Sequence, residues 1–245
     1  MILEQQMTAL MLVLATGIQA PTAAQRGQPP YTLSVTKEGT TFVSLTAQDA
    51  KLPDIAADLA RRLNAKVIVA PSLKDNKVTV QIAGTPLEPA MLSLAPRVYI
   101  DYELRKDAQP RPLGIYLLDL GDAEPAVSAV VQGMSQGLFV SGNTEDTGQP
   151  PKDAPLRITY DKGRLAVFAK EQPLMAVVLS IAEELGVPAE VKHETREVIS
   201  TDIKDSNPED ALVGLSENVR VYVRANANGL ERRLLRVVLV GPAAQ

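Results

Sequence analysis

The chain holds one histidine, His193, within His193-Glu194-Thr195-Arg196. One imidazole cannot furnish a histidine-based zinc site, and there is no HExxH pair. A serine hydrolase would have to recruit this same histidine, yet no G-x-S-x-G turn precedes a helix. His193 reads as a solvated loop residue. Cysteine is absent, which removes disulfides, a catalytic thiol and thiolate metal sites. Gly133, Gly137, Gly142 and Gly148 carry neither phosphate-loop nor dinucleotide spacing. A glycosidase needs two converging carboxylates, and sequence alone names no pair. Asp49 with Asp54, or Glu183 with Glu184, reads more simply as caps and wet faces of helices. The expectation is a protein that is not an enzyme, with no catalytic residue, no cofactor and no metal; the alternative is an envelope enzyme with an unrecognised carboxylate site.

Two other acids open helices. Thr85-Pro86-Leu87-Glu88 offers an N-cap, a proline at the first helical position and an acid at the third. Asn207-Pro208-Glu209-Asp210 offers the same roles at 85 + 122 = 207. An acid there meets the positive end of the helix dipole, so its role is structural.

That shift of 122 runs through the chain. Leu52, Ile55, Ala56, Leu59 and Leu63 draw one apolar stripe along an amphipathic helix. Leu174, Val177, Val178, Ile181 and Leu185 draw it again. Asn64 and Gly186 follow the two stripes, and both types tolerate a left-handed C-cap. Around the helices stand alternating strands: 31–36 and 42–47 in the first half, 156–160 and 164–168 in the second. Short strands 66–69 and 189–192 come next, then 77–82 and 198–203. Each half closes on a hairpin, 98–102 with 113–118 and 219–223 with 234–240. The expected class is α+β: two tandem small αβ domains, each a mixed or antiparallel sheet with two helices on one face, in the order ββαββαββ. The copies are placed at 29–120 and 155–242, each closed by its own apolar interior.

The segment 121–154 lies between them. Its end, Ser141 to Pro151, has loop composition. Its start carries Val127, Val130, Val131, Met134, Leu138 and Phe139, too apolar for a solvated linker. It packs on a domain, or it is a partner-binding segment that orders on contact.

Composition fits this picture. The 245 residues are 45% hydrophobic and 22% charged, with 4% aromatic residues and no Trp, so the cores rest on Val, Leu, Ile and Ala. Net charge is −4 with both signs interspersed, and the missing basic stripe argues against nucleic acid. Met7 to Ala20 is an apolar run of signal-peptide length, followed by Thr22-Ala23-Ala24 as a small-residue cleavage site. Residues 1–24 are expected to be a signal peptide, although Glu4 stands where a basic residue is usual. The mature chain is expected to be soluble in a periplasm.

With these residues in place, Leu45 to Leu94 resembles the short N-terminal domain shared by secretins and TonB-dependent transducers. The striped helix, the two strands and Thr85-Pro86-Leu87-Glu88-Pro89-Ala90-Met91 carry the likeness. Phe168 to Val221 holds a second, decayed copy, with Asn207-Pro208-Glu209-Asp210-Ala211-Leu212 at the corresponding place. The resemblance implies a periplasmic module beside an outer-membrane channel, or one that signals to an inner-membrane regulator. No run of alternating strands follows the second copy, so an accessory role is expected rather than a pore. The expected partner is another envelope protein, a secretin-like channel or an inner-membrane regulator, and a homo-oligomer is compatible with the sequence.

Overall fold

In a computed structural model, residues 30–126, 154–229 and 231–241 are described. The segment expected to be a signal peptide lies outside them. So do Val127, Val130, Val131, Met134, Leu138 and Phe139.

The first half runs β1 (Tyr31–Glu38), β2 (Thr40–Lys51), α1 (Leu52–Leu63), β3 (Lys66–Val69), β4 (Lys77–Pro86), α2 (Leu87–Leu92), β5 (Arg97–Leu104) and β6 (Arg111–Leu118). The second half repeats it as β7 (Leu156–Asp161), β8 (Arg164–Pro173), α3 (Leu174–Glu184), β9 (Ala189–Val191), β10 (Val198–Ser206), α4 (Pro208–Leu215), β11 (Val219–Asn226) and β12 (Glu231–Leu239). The class is α+β, and each half has the order ββαββαββ.

The stripes do what their spacing requires. Leu52, Ile55, Ala56, Leu59 and Leu63 are all buried, as are Leu174, Val177, Val178 and Ile181. Pro53 sits in the first turn of α1, where its missing N–H costs nothing. Asn64 ends that helix at φ 53°, and Gly186 follows α3 at φ 64°.

Each half uses two sheets rather than one. β1-β2-β4 and β7-β8-β10 are separate antiparallel three-stranded sheets. The remaining strands form one six-stranded sheet, β3-β6-β5-β11-β12-β9. In each half the helices touch strands of both sheets and so lie between them. The halves therefore do not close separate interiors. β5 pairs antiparallel with β11, from Leu104 opposite Val221 to Tyr99 opposite Asn226. One apolar cluster runs from Leu33 through Ile100 and Val223 to Leu239. The reason lies in the hairpins: β5 and β11 are apolar on the helix side and have open edges that satisfy one another.

The repeat is also not uniform in register. Leu45 pairs with Ile82, and its counterpart Val167 pairs with Ile203, so the shift there is 203 − 82 = 121. Thr85 accordingly corresponds to Ser206, both lying opposite equivalent β2 and β8 residues. At this shift Tyr102 pairs with Val223, its own counterpart. A local two-fold axis passes through that pair.

The expected capping boxes do not form. Strand β4 runs straight into α2, and the N-cap is Pro86, which has no side-chain acceptor. Thr85 Oγ1 turns instead to the Ala83 carbonyl. Asn207 occupies the N-cap of α4, yet its side chain bonds Asp210 and Arg164 rather than a helix N–H.

Candidate functional site

Alternation puts every second residue of the six-stranded sheet on the face away from the helices. On β5 these are Tyr99, Asp101 and Glu103, and on β11 they are Arg220, Tyr222 and Arg224. A sheet face of this kind is ordinarily wet, but here Asp101, Glu103, Arg224, Arg236 and Glu190 are all buried. The charges must then be paired, and most of them are.

Arg224 Nε and Nη2 donate to the two oxygens of Asp101 at 2.6 and 2.9 Å, a side-on fork. The Tyr116 hydroxyl also donates to Asp101, at 3.2 Å, and its ring lies 5.1 Å from the Arg224 guanidinium. Arg224 Nη1 reaches the Pro125 carbonyl and Glu124, and Glu124 also accepts from Arg233 at 2.6 Å. The chain leaving β6 is thus strapped onto the seam. Further back along this strap, Asp122 accepts from Ser72 at 2.9 Å, and its carbonyl accepts from Arg97. Beside the fork, Glu103 accepts from Arg105 at 2.6 Å and lies 3.7 Å from both Arg111 and Arg220. At the far side, Arg236 Nη1 donates to Glu190 at 2.9 Å while its plane lies over the Tyr222 ring at 4.3 Å.

Burial governs the tyrosines. It is the main cause pushing the phenols of Tyr102, Tyr116 and Tyr222 above their ordinary range. Nearby carboxylates add to it: Glu88 at Tyr102, Asp101 at Tyr116 and Glu103 at Tyr222. Glu88 accepts from the Tyr102 hydroxyl at 2.8 Å. The acid read as a cap is therefore a core phenol's partner.

The other acids and bases singled out by type stay apart. Asp49 pairs with Lys77 at 2.7 Å on the surface. Asp54 uses its carbonyl to accept from Tyr31. Arg61 and Arg62 both turn to Asp58 on their own helix. His193 is exposed in the loop after β9. Gly241 lies against it, and a Cβ built on Gly241 would fall 2.6 Å from the His193 Cβ. No group of three or more His, Cys, Asp or Glu among the described residues is placed to hold a metal ion. A groove of about 570 Å³ beside the start of α4 brings together Glu209, Arg232 and Arg233 but no nucleophile with a base. The seam between the halves is a paired sheet rather than a cleft.

The three-stranded sheets present a different surface. β2 and β8 are central, which leaves β1, β4, β7 and β10 as edges. Val198 on β10 is 59% exposed and Tyr160 on β7 is 42% exposed. No helix among the described residues is long and apolar enough to cross a membrane.

Compared with known proteins, the chain matches no family model, no curated protein and no solved structure.

The buried charges were the part that sequence reasoning missed. Their signal was present in the alternation: acids on the wet-looking face of β5, arginines on that of β11. Opposite signs on two otherwise apolar strands are what adjacent strands in one sheet would carry.

Proposed function

We propose that this chain is a non-enzymatic docking module of a bacterial cell envelope, working in the periplasm as an accessory or scaffold of an outer-membrane secretion- or pilus-type machine. The observation that carries the reading is the set of four strand edges, β1, β4, β7 and β10, that no strand among the described residues pairs with, with Val198 and Tyr160 exposed on two of them. An unpaired edge offers a row of N–H and C=O groups to an incoming strand, and exposed apolar side chains beside it add contact. The strap and the ion pairs hold the two halves as one rigid platform for such edges. The resemblance of Leu45–Leu94 to the secretin-type domain supplies the class of machine. A transducer that works by moving one half against the other fits less well, because six residue pairs join the halves along the seam.

Photocrosslinking from position 198, in cells that make the full chain, tests this reading. Adducts with an outer-membrane channel subunit, lost in a Val198→Lys variant crosslinked from position 160, support it. Recovery of the chain in the cytosol, or adducts from control surface positions but from none of the four edges, overturns it.

A further inference from the structure

The local two-fold axis makes each half a reference for the other. In the first turn of α2, Glu88 accepts the Tyr102 hydroxyl at 2.8 Å. Glu209 holds the same place in α4, at 88 + 121 = 209, and Val223 stands where Tyr102 does. Tyr102 lies opposite Pro112 on β6, and Val223 lies opposite Leu234 on β12. Neither Val223 nor Leu234 can donate a hydrogen bond. Glu209 is half-buried and has no hydrogen-bond or ion-pair partner among the described residues. The hairpins differ as well. Seven residues separate Val35 from its partner Val43, whereas four separate Tyr160 from Leu165. The shorter hairpin leaves the second half more open: the groove at Glu88 holds about 190 Å³ and the groove at Glu209 about 570 Å³. Leu185, Val187 and Leu234 give the larger groove an apolar wall. Tyr160 and Arg232 also line it, and both are exposed, so it is reached directly from solvent. Arg232 has no hydrogen-bond or ion-pair partner among the described residues either.

We infer that the groove beside α4 binds a tyrosine side chain of a partner polypeptide, whose hydroxyl donates to Glu209 as that of Tyr102 donates to Glu88. The first half shows what this acid accepts when the chain itself supplies the donor. The aliphatic wall takes the ring, as apolar pocket walls with one placed polar group generally do. The cation of Arg232 matches an acidic residue next to that tyrosine, which is why the source is a polypeptide rather than a free phenol. Phenylalanine would fit the wall but leave the Glu209 carboxylate covered and unmet. Phosphotyrosine would bring a dianion to a carboxylate and has no hydroxyl to donate. The site stands whether or not the chain docks through its three-stranded edges.

The test is a titration of the full chain, read at the Leu234 methyl and Tyr160 ring signals by NMR. The probes are a blocked Gly-Tyr-Glu-Gly peptide, its phenylalanine and phosphotyrosine versions, and 4-methylphenol. A saturable shift with the tyrosine peptide is expected. The phenylalanine peptide should bind about tenfold more weakly, the worth of a hydrogen bond to a charged acceptor. In Glu209→Leu the tyrosine peptide should fall to the level of the phenylalanine peptide, which itself should change little. A merely structural role for Glu209 would weaken both alike. The comparison of the two peptides on the unaltered chain decides the matter if Glu209→Leu does not fold. The absence of a saturable shift overturns the site, as does equal binding of tyrosine and phenylalanine peptides or tighter binding of the phosphotyrosine one. Binding of 4-methylphenol as tight as that of the tyrosine peptide overturns the polypeptide source.

Discussion

Asp101 and Arg224 stand directly opposite one another on strands from different halves and are joined by two hydrogen bonds of 2.6 and 2.9 Å. Both are almost fully buried. Removing one partner leaves the other charged and unmet inside the protein. Arg224→Met is expected to cost about 3–5 kcal/mol. Asp101→Leu with Arg224→Met should cost clearly less than Arg224→Met alone, since no orphan charge remains. A double-mutant cycle in urea measures both, and additive single effects would contradict the pairing.

Arginine is required there for its fork, not only its charge. Arg224→Lys keeps a cation but loses the side-on pair and the reach to the Pro125 carbonyl. The strap at residues 119–126 should then loosen from the sheet. Faster hydrogen exchange at Asp119 and Asp122, with the Leu59 and Ile181 amides still protected, is the expected readout.

Gly186 follows α3 at φ 64°, and a Cβ built there meets no atom within 4 Å. Gly186→Ala therefore isolates backbone strain from packing. It should destabilise by about 1–2 kcal/mol. Asn64 takes the matching place after α1 at φ 53°. Asn64→Gly should change stability little or raise it, by about 0.5 kcal/mol, because glycine adopts this conformation without a Cβ clash. Thermal melts of the two variants check the opposite signs.

Burial raises the phenol pKa of Tyr102 above its ordinary value of about 10. The unfolded chain gives up that proton at lower pH than the folded one. The stability is thus fully present below pH 10 and is lost as pH climbs from there. The loss should approach about 1.4 kcal/mol per pH unit for this one group. Tyr116 and Tyr222 shift in the same direction. Urea midpoints between pH 9 and 11.5 measure the slope, and Tyr102→Phe should make it shallower.

Most of the fold was legible because apolar periodicity places elements well. Both helical stripes and the alternation in the longer strands, such as β1 and β8, can be read from residue type. Strand ends were less legible, because β2 and β4 continue through bulges. Asp49 and Gly84 sit there at φ 52° and 54° and interrupt the alternation. In the second half Glu171 and Asp205 hold the same places, and Ser200 Oγ accepts the Glu171 N–H as Thr79 Oγ1 accepts that of Asp49. The pairing of β5 with β11 was not legible from either strand alone. Each reads as a half-buried hairpin arm, and only Asp101 and Glu103 set against Arg220 and Arg224 point across the chain. Arg236 gave no signal at all, since an arginine in β12 looks like any exposed strand residue until its depth is known.

The shared interior makes its own prediction. Leu59 in α1 and Ile181 in α3 occupy equivalent positions, and both are fully buried. Either one changed to Ala should cost about 2–5 kcal/mol through lost burial and the cavity left behind. Two independent domains would respond separately: Leu59→Ala would melt the first half and leave the second intact. A single cluster that spans the β5–β11 seam requires otherwise. In Leu59→Ala the urea transition followed at Tyr116 in one half should coincide with that followed at Tyr222 in the other, both displaced to lower urea. Two separated transitions would show that the halves fold on their own and that the six-stranded sheet is a contact between them, not a common core.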